Sequence, residues 1–208
     1  DSGSALDPSI RALVRLYSAQ GAWSALDRAL ASAVKHARDD AAKAAILLRR
    51  AEVAADRLRD LDAAVGHLEA AARLQPQHRA ILARLERAAL ARGDRARALQ
   101  VAEQLASTET DPRQFAARHV QIAAIKEASE PPRSGAENYR RALERVPDHP
   151  VALRKLELAY LEARNWKGLA TLFHREALLT AGPTARALLF CRAAEIAEEQ
   201  LNDFNFAI

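Results

Sequence analysis

Apolar residues in this chain recur at helical spacing, as pairs of stripes separated by short polar breaks. One stripe reads small or apolar, three residues, apolar or aromatic, then Ala or a similar residue. It occurs as Leu26/Leu30/Ala33, Ala64/Leu68/Ala71, Ala98/Ala102/Leu105, Gly135/Tyr139/Ala142 and Leu169/Phe173, and Ala207 opens a sixth. Before each lies a second stripe: Ile10/Leu13/Tyr17, Leu48/Ala51/Ala55, Leu82/Leu85/Ala89, His119/Ile122, Leu153/Leu156/Tyr160 and Cys191/Ala194. Spacings of three, four and seven place these groups on one face of an α-helix. The breaks are rich in Pro, Gly and polar residues: QPQH at 75–78, RGD at 92–94, EPPRSG at 130–135, VPDHP at 146–150 and AGP at 181–183. The pattern therefore predicts alternating helices, a first (A) and a second (B), with a turn after each.

The chain also repeats at long range. Its only two tryptophans, Trp23 and Trp166, each stand six places after a Tyr and three before a Leu. The shift that carries Trp23 onto Trp166 also pairs Arg11 with Arg154, Leu13 with Leu156, Arg49 with Arg192, Glu52 with Glu195, Leu58 with Leu201 and Asp60 with Asp203. Matches running from Arg11 to Ala64 in one ungapped register mark a duplicated segment. The B stripes open at Leu26, Ala64, Ala98, Gly135, Leu169 and Ala207. Leu26 maps onto Leu169 under the shift, so the duplicated block is four units long. The tryptophans fall at the turn into helix B of units one and five, as core wedges between the two helices.

Composition agrees. Half of the 208 residues are hydrophobic but only 5% are aromatic, with Ala and Leu dominant and Gly and Pro few; such a mixture favours helix. With 26 Arg, five Lys and a formal charge of +4, the chain is mildly basic. Arg and Ala both have GC-rich codons, so a GC-rich bacterial genome accounts for much of that Arg. No apolar run reaches the ~18 residues of a membrane span. A start at Asp1, the lack of Met and an end at NDFNFAI lead to the expectation of a piece of a longer bacterial protein, cut inside its sixth unit, with Phe204, Phe206 and Ile208 left without a next neighbour.

Units of this length and pattern resemble the tetratricopeptide repeat family, whose unit is a helix–turn–helix of ~34 residues. The third unit carries the likeness best, with Pro76, Leu82, Leu85, Gly93-Asp94, Ala98, Ala102 and Leu105; the fifth follows with Pro147, Leu153, Leu156, Tyr160, Leu169 and Phe173. It departs at the family's helix-A Trp, replaced by Ile10, Leu48, Leu82, His119, Leu153 and Cys191, and at the Gly beside the helix-A Leu. The resemblance implies an all-α right-handed superhelical solenoid of about 5.5 repeats forming one domain over 1–208. Its units are approximately 6–38, 39–76, 77–110, 111–147, 148–182 and 183–208, the last truncated. Each unit needs its neighbours to bury its apolar stripe.

No catalytic motif is found, and the expectation is of no enzyme and no cofactor. The histidines (His36, His67, His78, His119, His149, His174) lack metal-ligand spacing, so no metal is expected. His119 and Cys191 fall on core stripe positions and are expected to be a satisfied core His and a buried thiol. One constellation recurs. In the family's register the groove-facing positions of helix A carry Arg11, Arg15, Arg49, Arg50, Arg84, Arg87, Arg154, Lys155 and Arg192, with Glu52, Glu86, Glu157 and Glu195 alongside. Stacked units would align them as a basic stripe, and guanidinium forks suit carboxylates and phosphates. The expected function is a cytoplasmic protein–protein interaction scaffold whose basic concave groove binds an acidic peptide or helix. No helix A holds an Asn, so the family's Lys-plus-Asn carboxylate clamp is not expected. Two alternatives stand beside it: single-stranded nucleic-acid binding through the Arg-lined groove, and a structural spacer. The aromatics (Tyr17, Tyr139, Tyr160, Phe173, Phe190) mostly fall on core positions, which weighs against base stacking. The open end of such a stack is a surface for self-association.

Overall fold

Helix starts are set by short acidic or amide side chains and by proline. Asp39, Asp60, Asp111 and Asn165 each accept a hydrogen bond from the backbone amide three residues on, at 2.7–3.0 Å, which satisfies an amide the first helical turn cannot. Pro8, Pro112, Pro150 and Pro183 open their helices, where a missing amide costs nothing. The structure, a computed structural model, describes residues 7–129 and 134–202. Its described residues form eleven α-helices and no strand: α1 (Pro8–Ala19), α2 (Trp23–Lys35), α3 (Asp40–Glu52), α4 (Leu61–Leu74), α5 (Arg79–Arg92), α6 (Arg95–Ser107), α7 (Pro112–Ser129), α8 (Ala136–Arg145), α9 (Pro150–Glu162), α10 (Trp166–Leu179) and α11 (Pro183–Ile196). The all-α class and the alternating helices are those the pattern predicts. Part of the EPPRSG break, together with Phe204, Phe206, Ala207 and Ile208, lies outside the described residues.

α3 and α11 each continue into a π-helical turn, Val53–Leu58 and Ala197–Leu201. The turns end on left-handed residues, Arg59 (φ 57°) and Asn202 (φ 51°), whose amides donate to Ala54 O and Ala197 O. The other positive-φ residues among those described are Gly21, Gly93 and Arg164, and all five close a helix A. Gly21 and Arg164 match under the duplication shift, as do Arg59 and Asn202. Behind them, the Ala22 amide donates to Tyr17 O (3.0 Å) and the Asn165 amide to Tyr160 O (2.9 Å), again equivalent pairs. The duplication therefore extends to the backbone geometry of the turns.

The chain divides into two compact units, Asp1–Leu105 and Ala106–Ile208. In the first, Leu26, Leu30, Ile46 and Val53 form a buried cluster with Tyr17 and Trp23 packed on it. A second cluster joins α3 to α6 through Leu48, Leu68, Leu82, Leu85 and Leu105. In the second unit, Tyr139, Leu143, Leu156 and Leu172 pack together, and a cluster of Leu169 and Phe173 takes Leu189, Ile196, Tyr160 and Trp166. That last group is the image of the Leu26 cluster under the duplication shift, residue by residue. Both indoles sit at the first position of helix B, half-buried. The Arg57 guanidinium stacks 4.6 Å over Trp23; Gln200 holds the equivalent place.

Two stripe positions separate. His119 is buried, with Asn138 Nδ2 3.2 Å from its Nδ1, as expected of a satisfied core histidine. Cys191 is exposed, which corrects the expectation of a buried thiol. Its counterpart Leu48 is buried because α4 covers that side of α3. On α11 the described contacts lie with α10 and the π-helical turn, so the same stripe position faces outward.

Candidate functional site

Arg49 and Arg50 are neighbours on α3, so their side chains leave the helix about 100° apart and meet different partners. Arg49 donates to Glu52 at 2.7 Å, and Arg84 of α5 donates to the other oxygen of the same carboxylate. Burial pushes the Glu52 carboxyl up, but the two guanidiniums more than offset it and hold the group below its ordinary range. Glu52 thus ties helix A of one hairpin to helix A of the next. Arg50 turns the other way and grips Asp27 of α2 with two hydrogen bonds, at 2.8 and 3.0 Å. Those bonds hold the Asp27 carboxyl below its ordinary value. His67 of α4 lies 4.0 Å from the same carboxylate; burial first, and then Arg50, push its imidazole below the usual histidine value. The structure therefore brings Arg49 and Arg84 together and places Arg50 elsewhere.

Between α3 with its π-helical turn, α4 and α5 lies an open cavity of about 530 Å³. Alanines make up much of its lining, among them Ala51, Ala55, Ala64 and Ala88, with Leu68 beneath. Arg59, Arg87 and Asp56, all exposed, stand at its rim beside the Glu52–Arg84 pair. Of the expected cations, Arg84 and Arg87 belong to this cavity. Arg11 and Arg15 are exposed on α1.

In the second unit the cations are largely answered by acids. Arg154 donates to Glu157 at 3.0 Å and projects into solvent. Lys155 donates to Glu127 of α7 at 3.2 Å, another tie between A helices. Glu127 also accepts from the Tyr139 hydroxyl at 3.1 Å; burial and that carboxylate push the phenol well above its ordinary value. A smaller cavity of about 380 Å³ is lined by Leu153, Arg154, Glu157 and Glu176. Burial and the nearby Glu157 raise the Glu176 carboxyl; with Asp148, Glu157 and Glu176 against Arg154 in its lining, this cavity is not an electropositive one. Arg192 is exposed, with its guanidinium 5.9 Å over the Phe173 ring.

Sequence reasoning missed Arg59, Asp56 and Asp27. Arg59 was findable only as the residue ending the duplicated helix A, where its image is Asn202. Asp27 carried a clearer signal: it and Arg50 both become alanine, Ala170 and Ala193, under the duplication shift. Paired replacement of a charge couple by two small residues is what a direct contact leaves behind.

Among the described residues no three His, Cys, Asp or Glu side chains are grouped to hold a metal ion, and no helix is long and apolar enough to cross a membrane. No family model matches the chain, and no curated protein matches it. A solved structure does: the crystal structure of MamA protein aligns with a TM-score of 0.51 at 16% identity, covering 93% of this chain and 92% of that one. At that identity the likeness is one of fold. Together with the helix pairs, it gives the chain an all-helical repeat fold of tetratricopeptide-like kind.

Proposed function

We propose that the chain is an interaction scaffold that takes an acidic peptide or helix of a partner protein along its A-helix face, with no catalysis of its own. The carrying observation is that cations recur on helix A of successive hairpins and join neighbouring hairpins there, Arg84 to Glu52 and Lys155 to Glu127. In this reading Arg11, Arg15, Arg87 and Arg154 meet the ligand directly. Arg49, Arg50, Arg84, Lys155 and Arg192 shape and charge the surface around it. The six approximate units make up one repeat domain of a cytoplasmic bacterial protein.

Protein ligands are favoured over single-stranded nucleic acid by the aromatics. Tyr139 and Phe173 are buried, while Tyr17, Tyr160 and Phe190 are half-buried against neighbouring helices. None is free to form the stacking platform that such binders use.

The test compares affinity capture by the wild-type chain and by Arg11→Glu/Arg15→Glu/Arg154→Glu, all at exposed positions. Acidic partners should be held by the first and lost by the second while the helical circular-dichroism signal stays the same. Unchanged capture overturns the reading. Tight binding of a labelled single strand, falling steeply between two salt concentrations, would favour the nucleic-acid alternative.

A further inference from the structure

The first unit's cavity between α3, α4 and α5 is open to solvent, and alanines make up much of its lining. At about 530 Å³, its volume falls within the ~300–1,000 Å³ typical of ligand sites. Ala51, Ala55, Ala64 and Ala88 contribute only methyl groups to its lining, so the space is left by small side chains rather than filled by large ones. The walls are apolar while the charges stand at the mouth, as in sites where burial supplies affinity and polar groups supply orientation.

Those charges are not equivalent. Glu52 is occupied on both oxygens by Arg49 and Arg84, so these three neutralise one another in part and are fixed by the fold. Arg59 and Arg87 form no ion pair among the described residues, and both are exposed. Against them stands Asp56 alone, so the uncommitted rim is cationic. Arg59 is set in place by the backbone: it is the left-handed residue that ends the π-helical turn, and the next amide, of Asp60, donates to Ala54 O at 2.9 Å.

The duplication supplies an internal control. The π-helical turn recurs at Ala197–Leu201, but the images of Ala55, Asp56 and Arg59 are Glu198, Glu199 and Asn202. The backbone device is inherited by both copies. Ala51 and Ala64 keep alanine images, Ala194 and Ala207, whereas the alanine at Ala55 and the cation at Arg59 do not recur, which separates these two from what the turn itself requires.

We infer that this cavity takes one bulky apolar side chain of a protein ligand, with a carboxylate next to it in the ligand received by Arg87 and Arg59. The inference rests on the scaffold reading and narrows it to a ligand class, a segment pairing Phe or Leu with Glu or Asp. It also assigns Arg59 a role that the A-helix stripe did not include.

The test is a methyl-detected NMR titration of the whole chain with capped ten-residue peptides in a common Ala/Gln frame. They carry Phe with two Glu, Phe with two Lys, Phe with two Gln, or Ala with two Glu. The Phe/Glu peptide should shift the methyl signals of Ala51, Ala55 and Ala88 and bind at least fivefold more tightly than the other three. Arg59→Glu/Arg87→Glu should weaken it tenfold or more. Ala91 also lines the cavity and is exposed, so Ala91→Trp should fill the opening and abolish the shifts; Arg87→Gln serves if the double variant loses its fold. Unmoved alanine signals, equal binding of the Lys peptide, or an unaffected Arg59/Arg87 variant overturns the inference. Octanoate binding as tightly as the peptide would also overturn it, by assigning the cavity to small anions. Failure here with capture still sensitive to Arg11, Arg15 and Arg154 leaves the scaffold reading intact; the reverse result removes the groove and keeps the cavity.

Discussion

Asp27 and Arg50 join α2 to α3 through a two-pronged ion pair at 2.8 and 3.0 Å. In the second copy of the duplicated segment both places are buried alanines, Ala170 and Ala193. The same helix junction is thus closed once by charge and once by methyl groups. Removing one member of a half-buried pair strands the other, whereas removing both restores a solution the chain already uses. Asp27→Ala alone should cost about 1–2 kcal/mol, between the values for exposed and buried pairs. The double variant Asp27→Ala/Arg50→Ala should recover most of that loss. Urea melts of the wild-type chain, both single variants and the double variant give the coupling directly. A double variant as unstable as the sum of its singles would contradict the duplication argument.

Acid sensitivity should begin at this same junction. Folding depresses the His67 value, through burial first and then Arg50 against the opposing pull of Asp27 and Asp60. A depressed group contributes stability that is present above its unfolded pKa and lost as pH falls through its folded one. For His67 the loss therefore starts below about pH 6.5. Asp27 and Glu52, also depressed, add theirs only below about pH 4. Thermal midpoints recorded from pH 7.5 to 5 should fall in the wild-type chain and flatten in His67→Gln. Parallel curves would show that the imidazole is not the group responsible.

Gly135 is required by contact rather than by backbone conformation. A Cβ there would stand 2.9 Å from Ala123 Cβ and 3.1 Å from Ala123 O, and the second of these is backbone of α7. Gly135→Ala should cost about 1–3 kcal/mol through overpacking. Substitution at Gly66 meets nothing within 4 Å and serves as the control, since Gly66→Ala within α4 should be neutral or stabilising. Equal melting temperatures for the two variants would mean that α7 and α8 can separate at no cost.

Gly21 and Arg164 hold equivalent left-handed positions, where only glycine escapes steric cost. Gly21→Ala should destabilise by about 1 kcal/mol although space around it is open, because the penalty is in the backbone. Arg164→Gly should do the opposite and stabilise by up to about 1 kcal/mol. A calorimetric comparison reads both signs, and a destabilised Arg164→Gly would show that the Arg side chain holds something the turn needs.

Most of the fold could be read along the chain. Helix B stripe positions such as Leu26, Leu30, Ala64, Leu68, Ala98, Ala102, Tyr139, Ala142, Leu169 and Phe173 are all buried, since apolar spacing of three and four can be satisfied only by packing one helix face. The shift found from Trp23 and Trp166 carried further than residue identity, down to matching left-handed turns. It also marked Asp27 and Arg50 as a couple, for anyone reading differences between the copies rather than agreements. Burial on α11 could not be read this way. Cys191 and Leu48 share a stripe position, yet exposure depends on whether another helix covers that side.

Helix content, the placing of the turns, the duplicated block and the recurrence of cations on helix A were determined by the order of residues alone, because each depends on local geometry and periodicity. Which cations remain available was decided by tertiary structure. Arg84 and Arg87 look alike in sequence, but the approach of α5 to α3 commits Arg84 to Glu52, which Arg49 already reaches from three residues back on its own helix, and leaves Arg87 at the cavity mouth. A charge tied to a neighbouring hairpin is held by the fold, and neighbours across hairpins are set by packing, not by spacing along the chain.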